Sequence, residues 1–293
     1  MSLEIIPATK PKPTNELVGK VCLITGATAG IGKVTALEFA KRGATVVIVA
    51  RSRQRGKPAQ RFLREESGNE EIDLLYGDLS SLASIRQVVD TFLAKRSRLD
   101  ILVNNAAIVP MTRELSLDGY EMQFAVNHLA PFYLTGQLLN ILKSTVGSRV
   151  VNVSSEAHQR AKLNFHNLQS EIKYSTFNAY GMSKLENVYF TYSLAKRLEG
   201  TGVSVNALHP GVIRSELIRQ MPIWYEWIFN CFAKKTEAGS ETPLYVATSE
   251  ELSGVSGKYF SAKKEIRSSA LSYDSEIGER LWDLSETLVG LRT

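Results

Sequence analysis

Three groups of residues have types and spacings that could do chemistry. The first is Gly26-Ala27-Thr28-Ala29-Gly30-Ile31-Gly32, which follows an apolar run and precedes residues at helical spacing. Glycines there permit a tight turn and a close backbone approach. The helix N-terminus then offers unpaired N–H groups and a positive dipole end to a pyrophosphate. The spacing is G-x-x-x-G-x-G, not the usual G-x-G-x-x-G, and a glycine-rich loop alone often only turns the chain. The strand-to-helix setting is what favours a dinucleotide site. The second group lies about twenty positions on, where an acidic residue normally holds the ribose hydroxyls of NAD. Here the position is Ala50, followed by Arg51 and Arg53. A carboxylate would repel a 2′-phosphate, whereas an arginine attracts it through a charge-assisted contact. Lys33 offers a further charge. An acid missing where a base is present favours NADP(H) over the blander reading of solvated loop charges. The third group is Tyr180 and Lys184, which share a helix face at i and i+4. Ser155 ends a strand-like run upstream, and Asn127 lies in a helical stretch before that. A tyrosine–lysine pair at this spacing means little by itself.

These groups need a sheet to hold them. Continuous apolar runs predict strands at 21–25, 44–50, 72–76, 101–103, 149–153 and 203–208. Helical spacing predicts helices at 31–41, 82–96 and 180–199, and a mostly helical 119–143 in which Pro131 opens a second segment. Apolar runs without alternation belong to strands buried on both faces. Strands alternating with helices then predict an α/β Rossmann fold in one domain, a doubly wound parallel sheet with helices on both faces. An extended tail is expected over 1–18 and the domain over 19–293.

Composition narrows the function classes. The chain has 293 residues, 44% hydrophobic and 22% charged, which excludes a disordered or fibrous protein. Its 35 basic and 30 acidic side chains leave a net charge of only +5, with no basic block interleaved with aromatics, so no nucleic-acid partner is expected. Two cysteines, Cys22 and Cys231, exclude a disulfide scaffold and a cysteine metal site. The four histidines lack ligand spacing, so no metal is expected. The polar, proline-containing N-terminus does not read as a signal peptide. No run approaches the roughly 18 apolar residues of a membrane span, and a cytoplasmic location is expected.

TGATAGIG at 25–32, NNAA at 104–107, Asn127, Ser155, the Tyr180/Lys184 pair and HPGVIRSEL at 209–217 together resemble the short-chain dehydrogenase/reductase family. The likeness runs in family order from about Gly19 to Gly257. It implies one doubly wound domain with a seven-stranded parallel sheet. It also implies that Tyr180 is the general acid/base and that Lys184 lowers its pKa and holds the nicotinamide ribose. Ser155 would orient the substrate oxygen, and Asn127 would anchor a water in the proton relay. Cofactor contacts would come from Gly26, Thr28, Gly30, Ile31, Gly32 and Arg51. Asp78 and Leu79 would serve the adenine, Asn105 and Ala106 the adenosine ribose, and Pro210, Gly211 and Val212 the nicotinamide. A phenol near pKa ~10 is a poor base at neutral pH, and nearby positive charge draws it toward the operating range.

Ser155 and Tyr180 are 25 positions apart (180 − 155), roughly twice the family's usual gap. The insert EAHQRAKLNFHNLQSEIKYSTFNA and the ending LWDLSETLVGL resemble the retinol dehydrogenase branch. That likeness implies NADP(H)-dependent reduction of an apolar aldehyde such as retinal, or a related lipid aldehyde or ketone. Many members carry an N-terminal membrane anchor, which is not evident here. Three other readings stand beside it: a non-catalytic NADP(H)-binding sensor or scaffold, a reductase of a polar ketone, and a protochlorophyllide-like reductase. Residues of about 213–236 are expected to form a substrate lid. Within it Trp224, Trp227, Ile228 and Cys231 fall at i, i+3, i+4 and i+7, with Trp224 and Trp227 as substrate contacts. Such a stripe is also what a core, a homodimer interface or a shallow membrane contact would show.

Overall fold

The computed structural model describes residues 15–211 and 236–291. One eight-stranded sheet runs through it in the order β3-β2-β1-β4-β5-β6-β7-β8. Its strands are β1 (Val21–Thr25), β2 (Thr45–Ala50), β3 (Ile72–Tyr76), β4 (Ile101–Asn104), β5 (Arg149–Val153), β6 (Ser204–His209), β7 (Lys258–Ser261) and β8 (Lys264–Glu265). All neighbours pair in parallel except β7 and β8. The central strands are short β-branched and aliphatic runs, buried throughout in β1, β4 and β6. A strand with no solvated face has no need of alternation.

Helices cover both faces. On one side α1 (Gly30–Lys41), α2 (Arg53–Ser67) and α7 (Thr236–Thr248) pack residues such as Phe39, Leu63 and Leu244 against Ile24, Ile48 and Val151. On the other side α3 (Leu82–Lys95), α4 (Ala130–Gln137), α5 (Leu139–Ser144) and α6 (Thr176–Arg197) bring Phe92, Phe132, Leu142 and Phe190 onto Leu23, Leu102 and Val205. The C-terminal α8 (Ser275–Val289) lies over α6, with Leu281 against Leu185 and Tyr189. The chain order reverses beside β1, whose neighbours are β2 and β4. In open α/β sheets the crevice at the carboxyl ends of such strands is where ligands bind.

Several elements depart from expectation. The sheet has an eighth strand beyond the seven that the resemblance implies. It forms through a two-residue turn at Ala262-Lys263, both at positive φ (49° and 61°), as a tight hairpin requires. Residues 119–121 are not helical, because Leu115 and Glu121 pair in an isolated antiparallel bridge. Helix resumes beyond it with a π-helical turn, Phe124–Leu129, leading into α4, whose Pro131 occupies the first turn as predicted. Arg53 begins α2 and is not a loop residue. The tail expected over 1–18 is described only from Asn15, where a 3₁₀ turn, Asn15–Leu17, places Leu17 in the core.

Candidate active site

The β1–α1 turn is built from backbone. Gly26 and Gly30 adopt φ of +67° and +54°, the left-handed region that glycine enters without strain. A Cβ on Gly26 would lie 2.8 Å from the Ala106 Cα, and one on Gly32 would collide with the Asn105 amide and the Gly26 carbonyl. Asn105 is fixed in that position: its Nδ2 donates to the carbonyls of Thr25 (2.8 Å) and Gly26 (3.2 Å). Thr25 Oγ1 accepts from the N–H groups of Asn105 and Ala106. The turn is thereby stitched to the end of β4, across the point where the strand order reverses. Helix α1 starts here with no side-chain cap and no acidic residue in its first turn. By contrast Ser81 caps α3 and Asp274 caps α8. An uncapped N-terminus behind a glycine cradle fits a pyrophosphate. Thr28 and Ile31 are half-buried on this rim, as are Pro210 and Gly211 after β6.

Arg51 is exposed directly after β2. Helix α2 follows with Arg53, Arg55 and Lys57 exposed and no acid in its first turn. Cations at a helix N-terminus oppose its dipole, a conflict that a bound anion relieves. Lys33 Nζ lies 4.1 Å from the Phe62 ring centre, between α1 and α2. Asp78, expected at the adenine, uses Oδ1 to accept from Ser80 N (2.9 Å) and Ser80 Oγ (2.8 Å), which shapes the β3–α3 loop. Leu79 packs against the core beside it.

The other end of the site is built from side chains. Ser155 follows β5 and opens a 3₁₀ turn, Glu156–Arg160, where its Oγ accepts from Ala157 N. The Tyr180 phenol stands close enough to the Ser155 side chain to feel it electrostatically. One turn further along α6, Lys184 is 2% exposed; its Nζ donates to Val153 O (2.9 Å) and stands 5.6 Å from the Tyr180 ring centre. Burial pushes the Tyr180 phenol up to about 12, with the Ser155 side chain pulling the other way. Burial pulls the Lys184 ammonium down to about 7. In the protein alone, desolvation therefore outweighs the lowering of the phenol that the resemblance implies. Asn127 lies in the π-helical turn, and its side chain is spoken for. Oδ1 accepts from Ile108 N (2.8 Å), while Nδ2 donates to Ile108 O (3.1 Å) and Ser183 Oγ (3.0 Å).

Residues 20–226 match the short chain dehydrogenase family. The chain belongs to that family of oxidoreductases. It is 45% identical to human retinol dehydrogenase 12 over 281 residues, covering 94% of this chain and 88% of the relative. It is 42% identical to human retinol dehydrogenase 14 over 292 residues, covering 93% and 87%. Among solved structures it is similar to an uncharacterized protein from Mycobacterium paratuberculosis, with TM-score 0.77, 30% identity and 96% of each chain covered. It is also similar to the NADP active-site complex of RhlG from Pseudomonas aeruginosa, with TM-score 0.70 and 25% identity, covering 85% of this chain and 96% of that one.

In this short-chain dehydrogenase Ser155, Tyr180 and Lys184 come together at the carboxyl edge of β5. Arg51, Gly26–Gly32 and Asn105 gather at the carboxyl ends of β1, β2 and β4. Val212, Trp224, Trp227 and nearly all of the expected lid lie outside the described residues. Among the described residues, no group of three His, Cys, Asp or Glu side chains is placed to hold a metal, and no helix is long and apolar enough to cross a membrane. The insert between Ser155 and Tyr180 frames the site. Tyr174 OH donates to Pro110 O (2.7 Å), and Thr176 Oγ1 donates to Met111 O (3.0 Å). The sequence reading assigned no role to two histidines that hold the Ser155–Glu156 peptide. His158 Nδ1 lies 2.6 Å from Ser155 O, and His209 Nδ1 accepts from Glu156 N at 3.3 Å.

Proposed function

We propose that this protein is an NADP(H)-dependent alcohol dehydrogenase or carbonyl reductase acting on an apolar aldehyde or ketone, with retinaldehyde as the class to test first. The observation that carries the reading is Tyr180 beside Ser155 with the Lys184 side chain buried behind it, two strands away from a glycine cradle. When bound, NADPH supplies the hydride. Ser155 and Tyr180 hold the substrate oxygen between two hydroxyls. As negative charge grows there, Ser155 stabilises it and the Tyr180 Oη–H passes its proton to it, which completes the alcohol. A phenol held above its ordinary pKa is protonated at neutral pH and ready to donate. Lys184, drawn by burial to about 7, stands beside the Tyr180 ring, where its charge would favour the phenolate that donation leaves. With the cofactor bound, Lys184 would also hold the nicotinamide ribose. With its side chain committed, Asn127 would serve a proton relay only through its main chain.

Ala50 in place of an acid, with Arg51 behind it, supports NADP(H), as does the NADP found in the RhlG complex. The retinol dehydrogenase relatives support an apolar carbonyl. So does exposed apolar surface beside the site: Phe177, one turn before Tyr180, and Met111, tied to α6 through Thr176. We take the enzyme to work in the cytoplasm, with peripheral contact at a membrane surface as the second reading. Loss of reduced-nicotinamide absorbance with retinaldehyde, a short aldehyde and a quinone tests the proposal. Turnover of retinaldehyde with NADPH, well above that with NADH, is expected. No turnover of any carbonyl with NADPH overturns it.

A further inference from the structure

We propose that His158 is a positioning residue for Ser155, whose neutral ring fixes the peptide that aims the serine hydroxyl at Tyr180 and is itself anchored by the C-terminal segment. The proposal rests on the roles given to Ser155 and Tyr180 above. His158 is fully buried (0% exposed) in the turn after β5. Its two ring nitrogens make bonds of opposite sense. Ser269 N–H, which can only donate, points at Nε2 (3.1 Å), so that nitrogen is an acceptor. The ring proton is therefore on Nδ1, where it donates to the Ser155 carbonyl at 2.6 Å. The backbone thus dictates both tautomer and charge, because an imidazolium would turn a second N–H against the one from Ser269. Burial favours the neutral ring as well. Tyr259 closes the pocket, its ring 4.8 Å from the imidazole and its hydroxyl 3.4 Å from Nδ1.

The carbonyl of Ser155 and the N–H of Glu156 are two ends of one peptide group. His158 holds the first and His209 the second. With that plane pinned, the Ser155 backbone at φ −158° and ψ 156° has little freedom, and its Cα–Cβ bond is aimed. The anchor behind His158 returns to the catalytic helix. Ser272 Oγ donates to Ser269 O, Ser268 Oγ meets Ser272 Oγ, and Tyr192 OH meets Ser268 Oγ, each at 2.6 Å. Tyr189 OH donates to Leu271 O at 2.6 Å. Tyr189 and Tyr192 stand on α6, as Tyr180 and Lys184 do. The polar circuit therefore starts on α6, crosses residues 268–272, and passes through His158 to Ser155, which stands beside Tyr180 of the same helix. Its effect is to set the Ser155–Tyr180 spacing, which hydride and proton transfer to one carbonyl require to within a fraction of an ångström.

The test is a mutant cycle on the full chain, with NADPH binding followed by its fluorescence. His158→Ala is expected to lower kcat roughly ten- to a hundredfold, leaving the NADPH dissociation constant and the KM for NADPH unchanged. His158→Asn, whose amide can still donate to the Ser155 carbonyl, is expected to recover most of the loss. In a Ser155→Ala background, His158→Ala is expected to cost nothing further. Losses that add in the double variant, or NADPH binding that falls in step with kcat, overturn the proposal. Nitrogen NMR of the wild-type ring decides the geometry even where His158→Ala fails to fold. A slowly exchanging Nδ1–H supports the proposal, and the Nε2–H tautomer overturns it. That spectrum stands apart from the proposed function, which falls instead if the wild type reduces no carbonyl.

Discussion

The two ends of this site are made by opposite means. At the carboxyl ends of β1 and β4 the working surface is backbone, and the essential property of Gly26 and Gly32 is that nothing projects from them. At the end of β5 the surface is side chain, and the essential property of Ser155, Tyr180, Lys184 and His158 is what projects and how it is held. One end therefore breaks when an atom is added and the other when an atom is removed. The division follows the chemistry. A pyrophosphate is bound by fixed N–H dipoles that must come close. A proton must be carried by a group that changes its bonding.

The largest expected effect comes from removing an atom. Tyr180→Phe deletes the proton donor and leaves the glycine turn intact. General acid removal typically costs about two to four decades in rate, so kcat should fall by that much while NADPH still binds. A variant keeping more than a tenth of wild-type turnover would remove Tyr180 from the mechanism.

Adding an atom tests the other end. Gly32 lies in the first turn of α1, where propensity alone favours alanine by up to about 1 kcal/mol. The collision with the Gly26 carbonyl and the doubly bonded Asn105 amide argues the reverse, since overpacking costs about 1–3 kcal/mol. Gly32→Ala is therefore expected to lower the melting temperature and to weaken NADPH binding roughly tenfold or more. A more stable variant with normal binding would show that the cradle is looser than it looks.

Between these lies the 2′-phosphate. Losing one charge-assisted contact costs about 1.5–3 kcal/mol. Arg51→Asp should thus erode the NADPH preference by roughly one to two decades in kcat/KM and raise the relative use of NADH. An unchanged ratio would move phosphate selection elsewhere, to Lys33 or the start of α2.

The same contrast explains what could be read from sequence. Backbone-made features leave local traces: the glycine turn, the apolar strands β1 and β5 with the bounds observed, and the missing acid at Ala50. Helix α2 went unread although Gly56, Ala59, Gln60 and Leu63 repeat at i, i+3, i+4 and i+7. Three of those four are small or polar, so the buried stripe carries almost no hydrophobic signal. The β7–β8 hairpin went unread because Ala262-Lys263 is not a glycine or asparagine turn. His158 left no trace either, since its decisive partner, Ser269, is 111 residues away. Side-chain networks that span the fold have no period to detect.

The smallest effect concerns a side chain that belongs to neither end. Glu186 stands on α6 two residues beyond Lys184, 1% exposed, with neither carboxylate oxygen hydrogen-bonded. Burial raises its pKa well above the ordinary value, and the nearby Glu121 charge adds to the rise. Folding therefore makes Glu186 hold its proton to higher pH than the unfolded chain does. Its contribution to stability is fully present below the ordinary carboxyl value and is lost as pH rises toward the raised one. Glu186→Gln keeps the shape, carries no charge and removes this dependence. The variant should melt above the wild type at pH 8, with the gap narrowing as pH falls toward 5, while NADPH binding stays the same. Parallel melting curves at every pH would mean that Glu186 is ionised and paired in solution. A gain in stability restricted to alkaline pH would show that the helix carrying the catalytic tyrosine and lysine also carries an uncompensated acid.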